Sequence, residues 1–216
     1  EKVVLSKNIE ILEQNAFSGC TNLNYMGLDN KLTTINSYAF SNCTSLESIE
    51  IPDSVTTMSA DAFYNCTKLS SVKLPLGWTT TLDYNNSTRY GDSDSDYRSP
   101  FRGCTALKKI TLPEGMTAVP KQAFREMTSL ETIVLPDSIK TVNIYSFYNC
   151  TGLKNVTFSK NLETISSDAF NNCKSLTTLN FTESLKTIES SAFYNCSGLT
   201  SIEIPSSVTT INSSVF

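Results

Sequence analysis

Phenylalanine recurs at Phe17, Phe40, Phe63, Phe101, Phe124, Phe147, Phe170, Phe193 and Phe216, and every interval but one is 23 residues. The exception, Phe63 to Phe101, is 38 residues, so one register runs through the chain and takes a single insertion of 15. A fixed period of this length narrows the possible folds more than any other feature of the sequence. Each unit is too short to bury an apolar face alone, so the units must stack and bury it between neighbours.

The rest of each unit keeps the same time. Leu5, Leu28, Ile51, Leu112, Leu135, Phe158, Phe181 and Ile204 stand twelve residues before a Phe, and Val3, Met26, Ile49, Ile110, Ile133, Val156, Leu179 and Ile202 stand fourteen before. Seventeen before come Leu23, Leu46, Leu107, Leu130, Leu153, Leu176 and Leu199. Apolar and other residues alternate at the end of this L-x-x-I-x-[LIF] segment, which predicts a short strand with one face inward. A second apolar pair, such as Val55 and Met58 or Leu185 and Ile188, predicts cover for the other side of the coil. Stacked strands then form a parallel sheet at a spacing of about 4.8 Å. Turns fall at Pro52, Pro113, Pro136 and Pro205, with Ser54, Gly115, Ser138, Asn161 and Ser207 two residues on. Few of these carry asparagine, so no continuous asparagine ladder is expected there.

The full pattern, C-x-x-L-x-x-I-x-[IL]-P-x-x-[VIL]-x-x-I-x-x-x-A-F, resembles the BspA-like class of leucine-rich repeats over nearly the whole chain outside the insertion. The resemblance implies a leucine-rich-repeat solenoid, a right-handed coil with a parallel concave β-sheet, mostly β and irregular with little helix. It gives one domain over 1–216, about nine coils of 23 residues with an insertion loop at about 83–97. The chain begins without Met and ends on a repeat anchor with no polar cap, so it reads as part of a longer protein. Proteins of this class are typically secreted or surface proteins of mucosal microbes, associated with adhesion. The resemblance therefore implies an extracellular or cell-surface module binding a protein or glycan ligand, such as host matrix. A passive spacer within a larger surface protein is the alternative. The class shares no catalytic motif and no set of binding residues.

Cys20, Cys43, Cys66, Cys104, Cys150, Cys173 and Cys196 each lie three residues after a Phe, and Met127 takes that place in the remaining full unit. One Cys per coil, an odd total and replacement by Met point to a column of small core side chains. Neighbouring Cα atoms about 5 Å apart permit disulfides, but parallel side chains hold Cβ too far apart to favour them. A linear file of thiols does not converge on a metal ion.

Charge and composition remove whole classes of function. The chain has no His, which excludes Ser-His-Asp and Cys-His machinery and His-containing zinc sites. No Gly-rich phosphate loop occurs, and the carboxylates share no evident cleft, so the chain is read as a non-enzyme without cofactor. A net charge of −4 offers no footprint for nucleic acid, and no apolar run is long enough to span a membrane.

Two surfaces remain. The outward strand positions form files of mostly short polar side chains: Lys2, Tyr25, Ser48, Ser71, Lys109, Thr132, Asn155, Thr178 and Ser201, beside Val4, Gly27, Glu50, Lys73, Thr111, Val134, Thr157, Asn180 and Glu203. The insertion concentrates aromatic and basic side chains, and Tyr84, Arg89, Tyr90, Tyr97 and Arg98 are its candidate ligand-binding residues. Trp78 is expected to plug the core at the position of Val55, with Leu82 re-entering near that of Met58. Asp92, Asp94 and Asp96 alternate as in a calcium loop, but the expected Gly and Glu are replaced by Tyr97 and Gly103, so a solvated acidic tip is the better reading. Asn42, Asn65, Asn149 and Asn195 precede Cys-[ST], where asparagine is expected to bond local backbone.

Overall fold

The computed structural model describes residues 1–82 and 98–216, without the side chain of Leu82. The chain divides into two compact units, Glu1–Lys108 and Lys109–Phe216, each a parallel-strand solenoid. Among the described residues there is no helix.

In the first unit, β1 (Lys2–Val4), β3 (Tyr25–Gly27), β5 (Ser48–Glu50) and β7 (Ser71–Lys73) carry the L-x-x-I-x-L segment. The opposite side of each coil forms β2 (Ile11–Leu12), β4 (Thr34–Ile35), β6 (Thr57–Ser59) and β8 (Thr80–Leu82), which pair in that order. Partners stand 23 residues apart, for example Ile49 with Val72 and Ile35 with Met58. The second apolar pair thus makes a hydrogen-bonded sheet of its own, beyond the simple cover expected from its spacing. Met26, Ile35, Ile49, Met58 and Phe63 fill the space between the two sheets.

The second unit repeats the plan. Its first set of strands is β9 (Lys109–Thr111), β11 (Thr132–Val134), β13 (Asn155–Thr157), β15 (Thr178–Leu179) and β17 (Ser201–Ile202). Its second sheet runs unbroken through β10 (Ala118–Val119), β12 (Thr141–Val142), β14 (Thr164–Ile165), β16 (Thr187–Ile188) and β18 (Thr210–Ile211). Leucine gives way to phenylalanine at Phe158 and Phe181, whose ring centroids stand 5.3 Å apart. That exceeds the usual strand spacing of about 4.8 Å, and the first sheet is unpaired there, between β13 and β15.

The corner between Phe and Cys explains the strictest part of the repeat. Most coils place two residues at positive φ, two before and two after the Phe, as at Asp61 (58°) and Asn65 (58°) around Phe63; around Phe101 only Gly103 does so. Asparagine, aspartate and glycine tolerate this conformation best, which accounts for Asn-Cys. The asparagine side chains do not turn back on local backbone as expected. They form ladders between coils, Asn65 Nδ2 donating to Asn42 Oδ1 at 2.8 Å and Asn195 Nδ2 to Asn172 Oδ1 at 2.8 Å. So an asparagine ladder exists, at the Cys corner rather than after the strand.

The cysteines are free thiols, and all but Cys20 also donate a hydrogen bond to a backbone carbonyl. Cys66 Sγ lies 3.0 Å from the Phe40 carbonyl oxygen, and Cys150 Sγ lies 3.0 Å from that of Phe124. A thiol fits where an alanine would leave the carbonyl underused and a serine would bury a stronger polar group. Burial pushes the Cys150 thiol up, while Cys66 is raised first by its neighbour Cys104 and then also by burial. Unfolded thiols ionise near about pH 8.5, so this protection is complete below that pH and stability falls as pH rises above it. In native thiol titration at neutral pH, the half-buried Cys20 should react first and the six buried thiols slowly, with seven equivalents in denaturant. Fast native labelling of all seven would contradict the buried column.

The start of the insertion is anchored differently from expectation at one point. Trp78 is buried (1 % exposed), its Nε1 donates to the Thr80 carbonyl at 3.0 Å, and its ring meets Phe101 edge-on at 6.3 Å. Yet the register sets Thr81 against Met58, and Leu82 against Ser59. The hydroxyl of Thr81 is consequently buried without a hydrogen-bond partner. Thr81→Val should raise stability by about 1 kcal/mol, because it removes an unpaired hydroxyl at nearly constant volume. Urea unfolding checks this, and a destabilised variant would show that the hydroxyl is satisfied in solution.

Candidate functional site

Of the insertion residues singled out above, Tyr84, Arg89, Tyr90 and Tyr97 lie outside the described residues, as do Asp92, Asp94 and Asp96. Arg98 is placed, and it faces inward chemistry. Its Nη1 lies 3.3 Å from Oδ2 of Asp61, whose side chain is fully buried. Arg102 completes the site bidentately, Nε to Oδ1 at 2.8 Å and Nη2 to Oδ2 at 3.0 Å. The Arg102 guanidinium also covers the Tyr64 ring at 4.3 Å, and Tyr64 meets Tyr38 edge-on at 6.4 Å. Burial raises the Tyr38 phenol above its ordinary range, and the Asp61 charge adds to it. This cluster fastens the returning end of the insertion to the coil that precedes it. Asp61 and Arg102 were missed in the sequence because their pairing spans 41 residues, outside the 23-residue spacing.

Among the described residues, no group of three or more His, Cys, Asp or Glu side chains is arranged to hold a metal ion. The outward face of the first strand set in each unit, one of the two surfaces singled out from the sequence, lies among the described residues.

In the first unit that face is uneven. Tyr25 is 50 % and Val4 65 % exposed, and Lys2 holds its ammonium 4.7 Å from the Tyr25 ring centroid. Glu50 and Lys73 form an exposed pair at 3.9 Å. The sheet is interrupted between β3 and β5, which belong to separate two-stranded pairs. Leu5 N–H bonds Gly27 C=O and Ile51 N–H bonds Lys73 C=O, both at 3.0 Å, and among the described residues no such bond joins Leu28 to Glu50. At this seam lies a slot of about 240 Å³ lined by Tyr25, Gly27, Leu28, Ser48 and Glu50, floored by Met26 and Ile49. Gly27 lines it without a side chain: a Cβ there would crowd Val4 Cγ2 at 3.3 Å and reach Tyr25 Cε1 at 3.5 Å.

The second unit presents a milder face. Thr111, Asn155, Thr157, Thr178 and Asn180 are exposed, small and neutral. A depression of about 250 Å³ lies among Leu179, Asn180, Phe181, Glu183, Glu203 and Pro205, with no exposed aromatic of the Tyr25 kind.

Comparison with known proteins places this geometry. The family model described as the BspA type leucine-rich repeat region matches in six copies, over residues 1–87 and 97–216. Among curated proteins none matches the sequence. Solved structures share the fold, among them the following three. A leucine-rich repeat protein from Bacteroides ovatus has a TM-score of 0.65 at 22 % identity, covering 98 % of this chain and 56 % of its own. The T. pallidum leucine-rich repeat protein has 0.61 at 25 %, covering 92 % and 77 %. The pneumococcal vaccine antigen PcpA has 0.53 at 20 %, covering 96 % and 51 %. The present chain thus spans little more than half the length of the B. ovatus and pneumococcal proteins.

Proposed function

The chain belongs to the BspA-type leucine-rich repeat family, and on that premise we propose that it is an extracellular or cell-surface recognition module that binds a protein or glycan ligand. The observation that carries this reading is the first unit's outward sheet face, where an exposed aromatic, a charged pair and an open seam occur together. Tyrosine is among the side chains that concentrate binding energy at interfaces, and flanking charges steer a partner's approach. The reading is non-catalytic, since the face offers no nucleophile with a base to activate it. Free thiols suit an exported protein here because all but Cys20 are buried.

The test is a binding screen of the chain against immobilised matrix proteins and a glycan array. Saturable binding supports recognition. Uniform silence would favour the spacer, a role that the mostly short polar files of the second unit would suit. A companion variant with 83–97 replaced by a short Gly-Ser link assigns the surface. Loss of binding with an unchanged melting temperature moves the site to Tyr84, Arg89, Tyr90 and Tyr97, and retained binding leaves it on the sheet face.

A further inference from the structure

We propose that the slot between β3 and β5 is a sugar subsite that accepts one pyranose unit of a glycan. The inference rests on the recognition reading above and names the ligand chemistry for that face.

Four observations converge on this chemistry. The first is size: about 240 Å³ falls below the roughly 300 Å³ at which drug-sized pockets begin, which suits a single ring. The second is the aromatic. Lys2, on β1, covers the Tyr25 ring from one side, while on the β5 side the same file carries only the small Ser48. A half-exposed ring of this kind presents an apolar face with a polar edge, matching a sugar that has a C–H face and a hydroxylated rim. The third is the polar rim. Glu50 is 83 % exposed, so its carboxylate can accept sugar hydroxyls while still near Lys73. Leu28 N–H and Glu50 C=O, unjoined across the seam, lie within the same wall. A polyhydroxylated ring offers donors and acceptors in every direction and can meet all of these together.

The fourth observation argues against a peptide in this position. Met26 and Ile49 seal the floor at 4 % and 3 % exposure, so no deep apolar hole receives an anchoring side chain. A peptide adding as a strand needs an open sheet edge, and at this seam β3 and β5 flank each other. Gly27 lines the slot without a side chain, and a Cβ there would crowd Val4 Cγ2 at 3.3 Å beside the Tyr25 ring, so a larger residue shifts the groups that shape the subsite.

The experiment uses the whole chain on a glycan array, followed by calorimetric titration of the strongest-binding oligosaccharide into the parent, Tyr25→Ala and Gly27→Val. Thr157→Ala, an exposed position on β13, serves as control. Losses of about tenfold or more in both slot variants, with unchanged melting temperature and an unaffected control, are the expected result. Glycan binding that survives both substitutions would overturn the subsite. So would silence on the array alongside saturable binding to a matrix protein, an outcome that leaves the recognition reading standing. Silence on both overturns the two together.

Discussion

Phe63→Ala is expected to cost about 3–5 kcal/mol, the range usual for truncating a fully buried Phe to Ala. The ring is fully buried, and it is stacked on both sides, against Phe40 at 5.0 Å and Phe101 at 5.2 Å, with interplanar angles of 11° and 12°. Centroids this far apart in parallel rings indicate offset stacking, which avoids the repulsion of a direct face-to-face sandwich. Truncation would therefore remove both stacking contacts and leave a cavity between coils whose spacing is held by the Phe63 N–H bond to Pro100 C=O at 2.7 Å. Phe63→Leu keeps most of the volume and should cost about 1–2 kcal/mol. Phe17→Ala is the internal reference. Its ring is only half-buried and stacks on one side, against Phe40 at 5.5 Å, so its loss should be clearly smaller. Urea unfolding followed by circular dichroism ranks the three. An equal or larger loss at Phe17 would mean that the stacked column is not the main source of cohesion in this unit.

Asp61→Asn should lower stability by about 2–3 kcal/mol. Breaking a buried ion pair generally costs about 3–5 kcal/mol, because one charge is left without compensation. Here the surviving partners, Arg98 and Arg102, retain 33 % and 24 % side-chain exposure and can recover part of their hydration, which argues for the lower figure. Asparagine is the informative replacement because it tolerates the positive φ of 58°, so the change isolates charge from backbone strain. Asp61→Ala should lose about 1 kcal/mol more, the added cost of a left-handed conformation without an Asn, Asp or Gly side chain. Asp168→Asn sets the scale in the other unit. It occupies the same repeat position at φ 56°, where its carboxylate accepts a hydrogen bond from Asn171 Nδ2 at 2.6 Å. A loss within about 0.5 kcal/mol of the parent at Asp61, the range of ordinary surface changes, would show that the two arginines contribute little to closing the long coil.

The 23-residue register settled most of the architecture, because in a stacked coil each apolar position meets its own equivalent in the next coil. Periodic spacing therefore specifies both the inward face and the partner, and the pairs Ile49–Val72 and Thr132–Asn155 follow directly from it. The Cys column was legible for the same reason, although its hydrogen bond to a carbonyl 26 residues back was not. Other features depend on where mismatched side chains sit once the coils are packed. The asparagine ladders follow from the left-handed residue two after the Phe, a conformation that composition permits but does not require. Asp61 meets Arg98 and Arg102 across the insertion, where the spacing rule has no authority. Thr81 takes the place expected for Leu82, because β8 continues the register of β6 without a shift. The interruption between β3 and β5 has no mark in the repeat pattern at all. It shows only in the pairing of the folded strands, and it is there, at Tyr25, Gly27 and Glu50, that a regular scaffold acquires a local surface of its own.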